Sequence, residues 1–527
     1  MSDGSLPAQS RPTWSNWTQN IVHQPPADGS DYYFAPNTLA ELQAVLQQAI
    51  ADGAVLRVSG QRHSQPPLVI DAAPSAARSY LVDLSCYADL GPNGDQNMVV
   101  DVANKQITVN TGVREDQVDA LLTQNNLMMA TVTAGGFFSL GGMTSVDVHG
   151  ATIAAPIFAG TVSAFTILQA DGSVVTIDAT TPAVNGWQPL QFARVNLGGL
   201  GIVTSVTIDV LDRPYATSLQ GGSTSIFAST QSAFVSQFQT LLTSHDRVET
   251  FYNPYAVWPF THDYFAIWWD VVANPTDKIP NQPVPAQSAC TLASEGDYGA
   301  TLLPHEILAE DVAIAAQKAK FLAGGLTVAG IATIASSAQT ADQNYSDLWL
   351  TEAARVMFMS YFVELPNLDA AGLGKAWDGL QAVGKRVAQG SPFYTAAPME
   401  FRFVTGSEVA MAGTYTTTPN SIFINYDLVA FVAATDTADY PPQLLQFFAD
   451  VERDWVAMGG LPHNGKMYGF YDPQGAPENY TAAFNPNFLA DLRARRGEPL
   501  QAFSAYRQAQ DPNGLFYNDF LRALLEG

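Results

Sequence analysis

A chain of 527 residues is too long for one core and calls for two domains or a large domain with insertions. Hydrophobic content of 47% with 14% charged residues is that of a globular protein, not a disordered one. The formal net charge of -25, from 24 basic and 49 acidic residues, argues against nucleic acid and against electrostatic docking to anionic lipid; it names no partner. Cys86 and Cys290 are too few for a disulfide framework or a Cys-rich zinc site, no metal site is expected, and a bridge between the two has no support in the sequence. Residues 1–30 show neither a basic start nor an apolar run, so a soluble, cytoplasmic protein is expected, or an exported one if a leader has been removed.

In chain order, Asn37 to Gly53 reads as an N-capped amphipathic helix ending at glycine, and Ala54 to Ser59 as a short strand. Gly60 then permits a sharp turn, so Gly60-Gln61-Arg62-His63-Ser64 projects a histidine directly after a strand. Val99 to Thr111 reads as a hairpin turning at Asn104-Lys105, and Glu115 to Asn126 as a helix. Thr133 to Gly150 follows, holding Gly135, Gly136, Ser139, Gly141, Gly142, Asp147 and His149. Paired glycines allow close backbone approach and leave amide donors for an anion such as a pyrophosphate. No Gly-x-Gly-x-x-Gly opens a helix after a first strand, so the Rossmann fingerprint is missing. Strands at Ala164–Gln169 and Val174–Ile177 meet through Ala170-Asp171-Gly172-Ser173, and Gly198 to Gly201, Ile202 and Val203 lead into a β-branched strand.

Arg213-Pro214 breaks this pattern. Ala273 to Ala300 reads as an extended loop and Ile307 to Lys320 as a helix. Phe321 to Ala335 is apolar but shorter than the ~20 residues that span a bilayer; a buried helix is expected ahead of a lid over an apolar cavity. Phe251, Tyr252, Tyr255, Trp258, Phe260, Tyr264, Phe265, Trp268 and Trp269 form an aromatic stretch, expected as core filling unless some face a cleft for an apolar ligand. In Met399-Glu400-Phe401-Arg402-Phe403, strand alternation puts Glu400 and Arg402 on one face, where they can pair and polarise a hydroxyl or carbonyl. The chain is expected to divide into residues 1–212 with 476–527, and an inserted domain of residues 213–475.

The order of a Gly-x-x-His turn, a Gly-Gly…His-Gly run and Gly-Leu-Gly-Ile-Val resembles the flavin domain of the vanillyl-alcohol oxidase family. That resemblance implies an α+β, two-domain PCMH-type FAD-binding fold, its inserted substrate domain built on an antiparallel sheet flanked by helices. It implies FAD attached covalently through His63, with the pyrophosphate near Gly135–Gly142 and the adenine half near Gly201–Val203. Ser139 and His149 are placed close to the cofactor; before a glycine turn, His149 also reads as a structural histidine. Glu400-x-Arg402 is similar to the Glu-x-Arg of cholesterol oxidases carrying covalent FAD and of alditol oxidases. Pro462-His463-Asn464-Gly465-Lys466 is similar to the Pro-His-Trp-Gly-Lys of alditol and sugar-lactone oxidases, with Asn464 where the aromatic stands. Arg247 to Tyr255 is similar to a segment of the covalent cholesterol oxidases, which makes Glu249 a candidate active-site carboxylate beside Glu400. Asp511 to Asn518 resembles the family's closing motif, which places Asn518 near the flavin.

The implied chemistry is oxidation of an alcohol, steroid-like or otherwise hydrophobic. Glu249 or Glu400 takes the hydroxyl proton, Arg402 steadies the oxyanion, and Lys466 balances charge on the reduced ring. Dioxygen as acceptor gives hydrogen peroxide. A polyol or sugar oxidase, a dehydrogenase with another acceptor, and a redox-inactive flavin-binding scaffold stay open, and no oligomeric state is assigned.

Overall fold

A computed structural model describes residues 6–8, 11, 13–71, 73–213, 219–255, 263–273, 312–341, 356–432 and 437–527. Trp258, Phe260, Cys290 and nearly all of the expected loop at 273–300 lie outside the described residues, as does the start of the helix expected at Ile307. Cys86 is disulfide-bonded, a state the sequence left possible without supporting it.

Thr38 caps the helix Leu39–Asp52 by accepting from the Glu41 amide, and Gly53 ends it at φ 62°. Leu42, Val45, Leu46 and Ala49 pack from this helix onto a parallel sheet of three strands, ordered Tyr33–Phe34, Ser79–Asp83, Val55–Ser59. A second, antiparallel sheet runs Val174–Asp178, Val162–Leu168, Ile202–Asp212, Gln106–Asn110, Met98–Asp101, with Leu127–Met129 also on Ile202–Asp212. Its hairpin turns where expected, Lys105 taking φ 54°.

The third sheet has seven antiparallel strands, ordered Leu219–Ile226, Tyr264–Val271, Arg247–Tyr252, Met399–Thr405, Ile422–Ala430, Met357–Leu365, Leu461–Pro462. Strand alternation gives this sheet two chemically different faces. Val248, Tyr252, Met399, Phe401, Ile424, Tyr426, Met359 and Tyr361 enter one large core beneath the helices Gln231–Ser244, Ala370–Gln389 and Pro442–Ala457. The opposite face turns its polar residues toward the first half of the chain. The fold is therefore mixed α+β, with a sheet-plus-helix unit beside the glycine-rich one.

The helix Lys320–Ala341 corrects the buried-helix expectation. Phe321 is 95% exposed and Leu322 40% exposed, while Ala323, Thr327 and Ile331 are buried. Ile331 packs on Phe251, Phe265, Ile267 and Trp269, so the helix roofs the outer end of the polar face. The aromatic stretch is thereby split. Tyr252 and Tyr264 stack within the core at 5.1 Å, while Phe251, Phe265 and Trp269 face the roof. Among the described residues, no helix is long and apolar enough to cross a membrane.

Two buried charged groups tie the halves together. The Arg57 guanidinium donates to the carbonyls of Leu68, Leu197, Gly198 and Phe516, joining the first strand to the middle of the chain and to its end. Asp147 accepts from the Gly413 amide at 2.6 Å and from Asn464 N and Nδ2 at 2.7 and 2.6 Å. Replacing Asp147 with Ala strands those buried donors, each costing about 1–3 kcal/mol. The expected outcome is a lower thermal unfolding midpoint by circular dichroism, with a larger loss than for Asp147→Asn.

Candidate active site

The two units enclose a cavity of about 560 Å³, within the roughly 300–1,000 Å³ common for ligand sites. On one side lie Gly60, Gln61, Arg62, His63 and Ser64, with Gly135, Ser139, Gly141, Gly142, Gly201 and Val203 also in the wall; His149 lines the cavity too, its carbonyl 3.4 Å from Arg402 Nη1. The backbones meet closely there. A Cβ on Gly60 would stand 2.3 Å from Ser139 Oγ. Arg62 takes φ 58°, a conformation costly for a side-chain-bearing residue, and delivers His63 into the cavity.

The His63 ring stacks on Trp17 at 4.9 Å and meets the edge of Phe138 at 4.7 Å. Burial, then the charges of Lys466 and Arg62, push its pKa down to about 3, so the imidazole is neutral and keeps a nucleophilic nitrogen. The N-terminal segment holds this turn. Trp17 N donates to Arg62 O at 2.9 Å, Asn16 Nδ2 to Ser64 O at 3.0 Å, and Trp14 Nε1 to Ser59 Oγ at 2.9 Å. Neither Trp17 nor this strap was foreseen, because nothing local in residues 14–17 points to a partner so far along the chain.

On the other side, strand register assembles a charged cluster. One cross-strand row runs Glu249, Arg402, Asn425, Phe362, and the next runs Phe251, Glu400, Asp427, Ser360. Arg402 Nη2 pairs with Glu249 Oε1 at 3.0 Å and also with Glu400 Oε1. Glu249 and Arg402 are 3% and 9% exposed, so solvent screens the cluster little. The Lys466 ammonium rests 3.9 Å above the Phe358 ring. Burial lowers its pKa to about 8, Asp427 working against that fall and Arg402 adding to it. Burial raises the Asp427 carboxyl, opposed by Lys466, by a hydrogen bond from Ser360 and by Arg402. Asp427 was missed from sequence, although Asn425 and Asp427 break the apolar run of their strand at alternate positions.

The two histidines are spoken for. His149 Nδ1 lies 2.9 Å from Gly150 O, and burial, then Arg402, brings its pKa to about 3. His463 Nδ1 accepts from the Gly465 amide at 2.9 Å, and its ring stacks with Phe362 at 5.9 Å. His463 thus anchors its own loop through Nδ1.

Five expected site residues stay out of the wall. Asn518 caps the helix Asp519–Leu525 through the Leu521 amide and donates to Pro67 O at 2.7 Å, so both ends of its amide are used structurally. Asp147 is the clamp described above. Gly150 is where a Cβ would meet Thr131 Oγ1 at 2.2 Å. Gly136 shapes its loop from behind, its amide on Thr133 Oγ1 at 3.1 Å, and Ile202 is buried in the core of the first sheet. Asn464, in place of the aromatic, serves the clamp and donates to Met411 O at 2.8 Å.

Residues 30–178 match the family described as FAD binding domain, and residues 349–524 the family described as D-arabinono-1,4-lactone oxidase. The mouse (Mus musculus) L-gulonolactone oxidase is 25% identical over 197 residues, 37% of this chain and 39% of that protein. A D-arabinono-1,4-lactone oxidase from Candida albicans is 23% identical over 266 residues, 49% of this chain and 41% of that protein. The chain thus spans about two fifths of the length of these curated relatives. Among solved structures, cholesterol oxidase from Brevibacterium sterolicum superposes with a TM-score of 0.71 at 16% identity, covering 97% of this chain and 96% of that one. A solvent-stable cholesterol oxidase gives 0.70 at 19% identity, covering 99% of each chain. Residues 30–178 thus match an FAD-binding domain, and the chain has the fold of the cholesterol oxidase structures.

The glycine-lined wall and the neutral His63 fit FAD. A Gly60→Ala change drives a methyl against Ser139 Oγ, so flavin content of the purified protein, read by absorbance, should fall severalfold. Adding Ser139→Gly should recover it, and equal flavin in all three proteins would remove Gly60 from the cofactor's support.

Proposed function

We propose that the protein is an FAD-dependent oxidase acting on a CH–OH group, with residues 1–212 and 476–527 as the flavin domain and 213–475 as the substrate domain. The favoured donor is a hydrophobic, steroid-like alcohol, and dioxygen is the acceptor, so the products are a ketone or aldehyde and hydrogen peroxide. One observation carries this reading: Arg402, braced by Glu249 and Glu400, shares one cavity with His63 and Lys466.

Bound FAD supplies the hydride acceptor and the centre that reacts with oxygen. His63 anchors it through the imidazole. Arg402 cannot swing away, because two carboxylates hold its guanidinium, and it is therefore preorganised to stabilise negative charge on the substrate oxygen. A buried carboxylate of the cluster accepts the hydroxyl proton. Lys466 keeps a positive charge between His63 and Arg402. The roof adds Thr333 and Ile334 to the wall of the cavity.

The donor's apolar character is supported by the cavity lining around the cluster, with Phe251, Ile334, Val356, Phe358, Pro398 and Val429. A sugar-lactone or polyol donor is the second reading. It is favoured by the match of residues 349–524, which span Glu400, Arg402 and Lys466, to D-arabinono-1,4-lactone oxidase. Peroxide release across sterols, long-chain alcohols, xylitol, sorbitol and aldonolactones separates the two readings.

Acid-precipitated protein should stay yellow and carry about one FAD of added mass, and His63→Ala should release the flavin to the supernatant. Free flavin from the unaltered protein would remove the covalent link. Arg402→Met should slow flavin reduction by two or more orders of magnitude, on the scale of losing one oxyanion donor, roughly 10²–10³. The flavin should remain bound; unchanged reduction kinetics would strip Arg402 of its role.

A further inference from the structure

We propose that Asp427 is the proton acceptor of this site, the two glutamates serving to brace Arg402. The inference rests on the alcohol-oxidation reading above and deepens it.

A general base needs a lone pair facing the cavity and not already held by a cation. Glu249 and Glu400 each commit an oxygen to Arg402 Nη2. His149 and His463 have their Nδ1 atoms engaged with their own loops. Asp427 is different. It lines the cavity and is 6% exposed, and among the described residues its carboxylate forms no ion pair with a Lys or Arg, whereas both glutamates pair with Arg402. Ser360 hydrogen-bonds to the carboxylate and itself accepts from Asn425 Nδ2 at 2.9 Å, which fixes the direction of the group.

Register places Asp427 correctly for the reaction. It stands directly across from Glu400, while Arg402 stands across from Asn425. Arg402 and Asp427 are therefore diagonal neighbours, roughly 7–8 Å apart in an antiparallel pair. One oxygen between them touches both side chains. In the step, the substrate O–H bond breaks and its proton passes to the Asp427 carboxylate. The C–H bond electrons leave as hydride for the bound flavin, and the C=O bond forms, a two-electron oxidation of the carbon.

The charged and titratable groups around Asp427 are Glu400 and Arg402 on one neighbouring strand, Glu249 beyond it, and Lys466 and His463 on the loop; His149 lies past Asn425. Burial outweighs the two cations and raises the carboxyl above its ordinary range. A base must be ionised to act, so flavin reduction should rise with pH through that raised ionisation and be lost as pH falls below it.

The experiment uses the flavin-loaded protein, with Asp427→Asn and Asp427→Glu. Rapid-mixing flavin reduction is followed against pH, and a carboxyl C=O band is titrated by difference infrared spectroscopy. Asp427→Asn should slow reduction by roughly 10²- to 10⁴-fold, abolish the acid limb and remove a titrating carboxyl band. Asp427→Glu should keep both limb and band. Persistence of either in Asp427→Asn, or no such band in the unaltered protein, overturns the assignment. If no alcohol reduces the flavin at all, the alcohol-oxidation reading falls on its own. The infrared titration then still decides whether Asp427 is the ionising group: a band lost in Asp427→Asn supports it, a band retained there refutes it.

Discussion

Burying Arg402 between two carboxylates is the constraint around which the rest of the site is organised. Ions removed from water are stable only with well-placed partners, and loss of one partner from such a group costs about 3–5 kcal/mol. The ion-paired groups come from two strands brought abreast, Glu249 from one and Glu400 with Arg402 from the next. A slip of one residue in any of these strands turns its charged positions into the apolar core and its core positions into the cavity. The hydrophobic face beneath the helices thus specifies the catalytic face by exclusion. Chemistry and packing are two readings of one alternation.

The glycine-rich half was the more legible in the sequence, because its information is local. A capped helix, a strand and a Gly-x-x-His turn announce themselves within thirty residues, and His63 stands in the cavity wall where that turn delivers it. Glu400 and Arg402 were legible for the same reason, being two apart on one strand. Asp427 depends on a neighbour in register and Trp17 on a strap from the chain's start, so neither can be found from a local pattern. Asp147 and Asn518 show the opposite failure. Both lie in stretches that resemble functional motifs, yet their hydrogen bonds are spent on the clamp and on a helix cap.

Apolar sequence proved ambiguous in a similar way. Hydrophobicity around the whole of Lys320–Ala341 reads as burial when taken alone. Tertiary structure uses only one side of this helix, against Phe251, Phe265 and Trp269, and leaves Phe321 in solvent. The neighbouring aromatic strands divide their side chains between the core and the space under that helix, so a single stretch supplies both scaffold and wall.

Among the described residues Trp17 is the one farthest upstream to touch the cavity, yet it covers His63, and Asn16 and Trp14 tether the turn that carries it. The beginning of the chain is therefore part of the reaction chamber. Shortening the protein by some twenty residues, or fusing a bulky tag close to Trp14, interferes with the pocket although every downstream motif is intact. An N-terminal trim chosen to tidy expression would be mistaken for a defect in catalysis or flavin loading. Among the described residues, those after Lys466 do not line the cavity, so a fusion partner on the C-terminal side lies away from its wall.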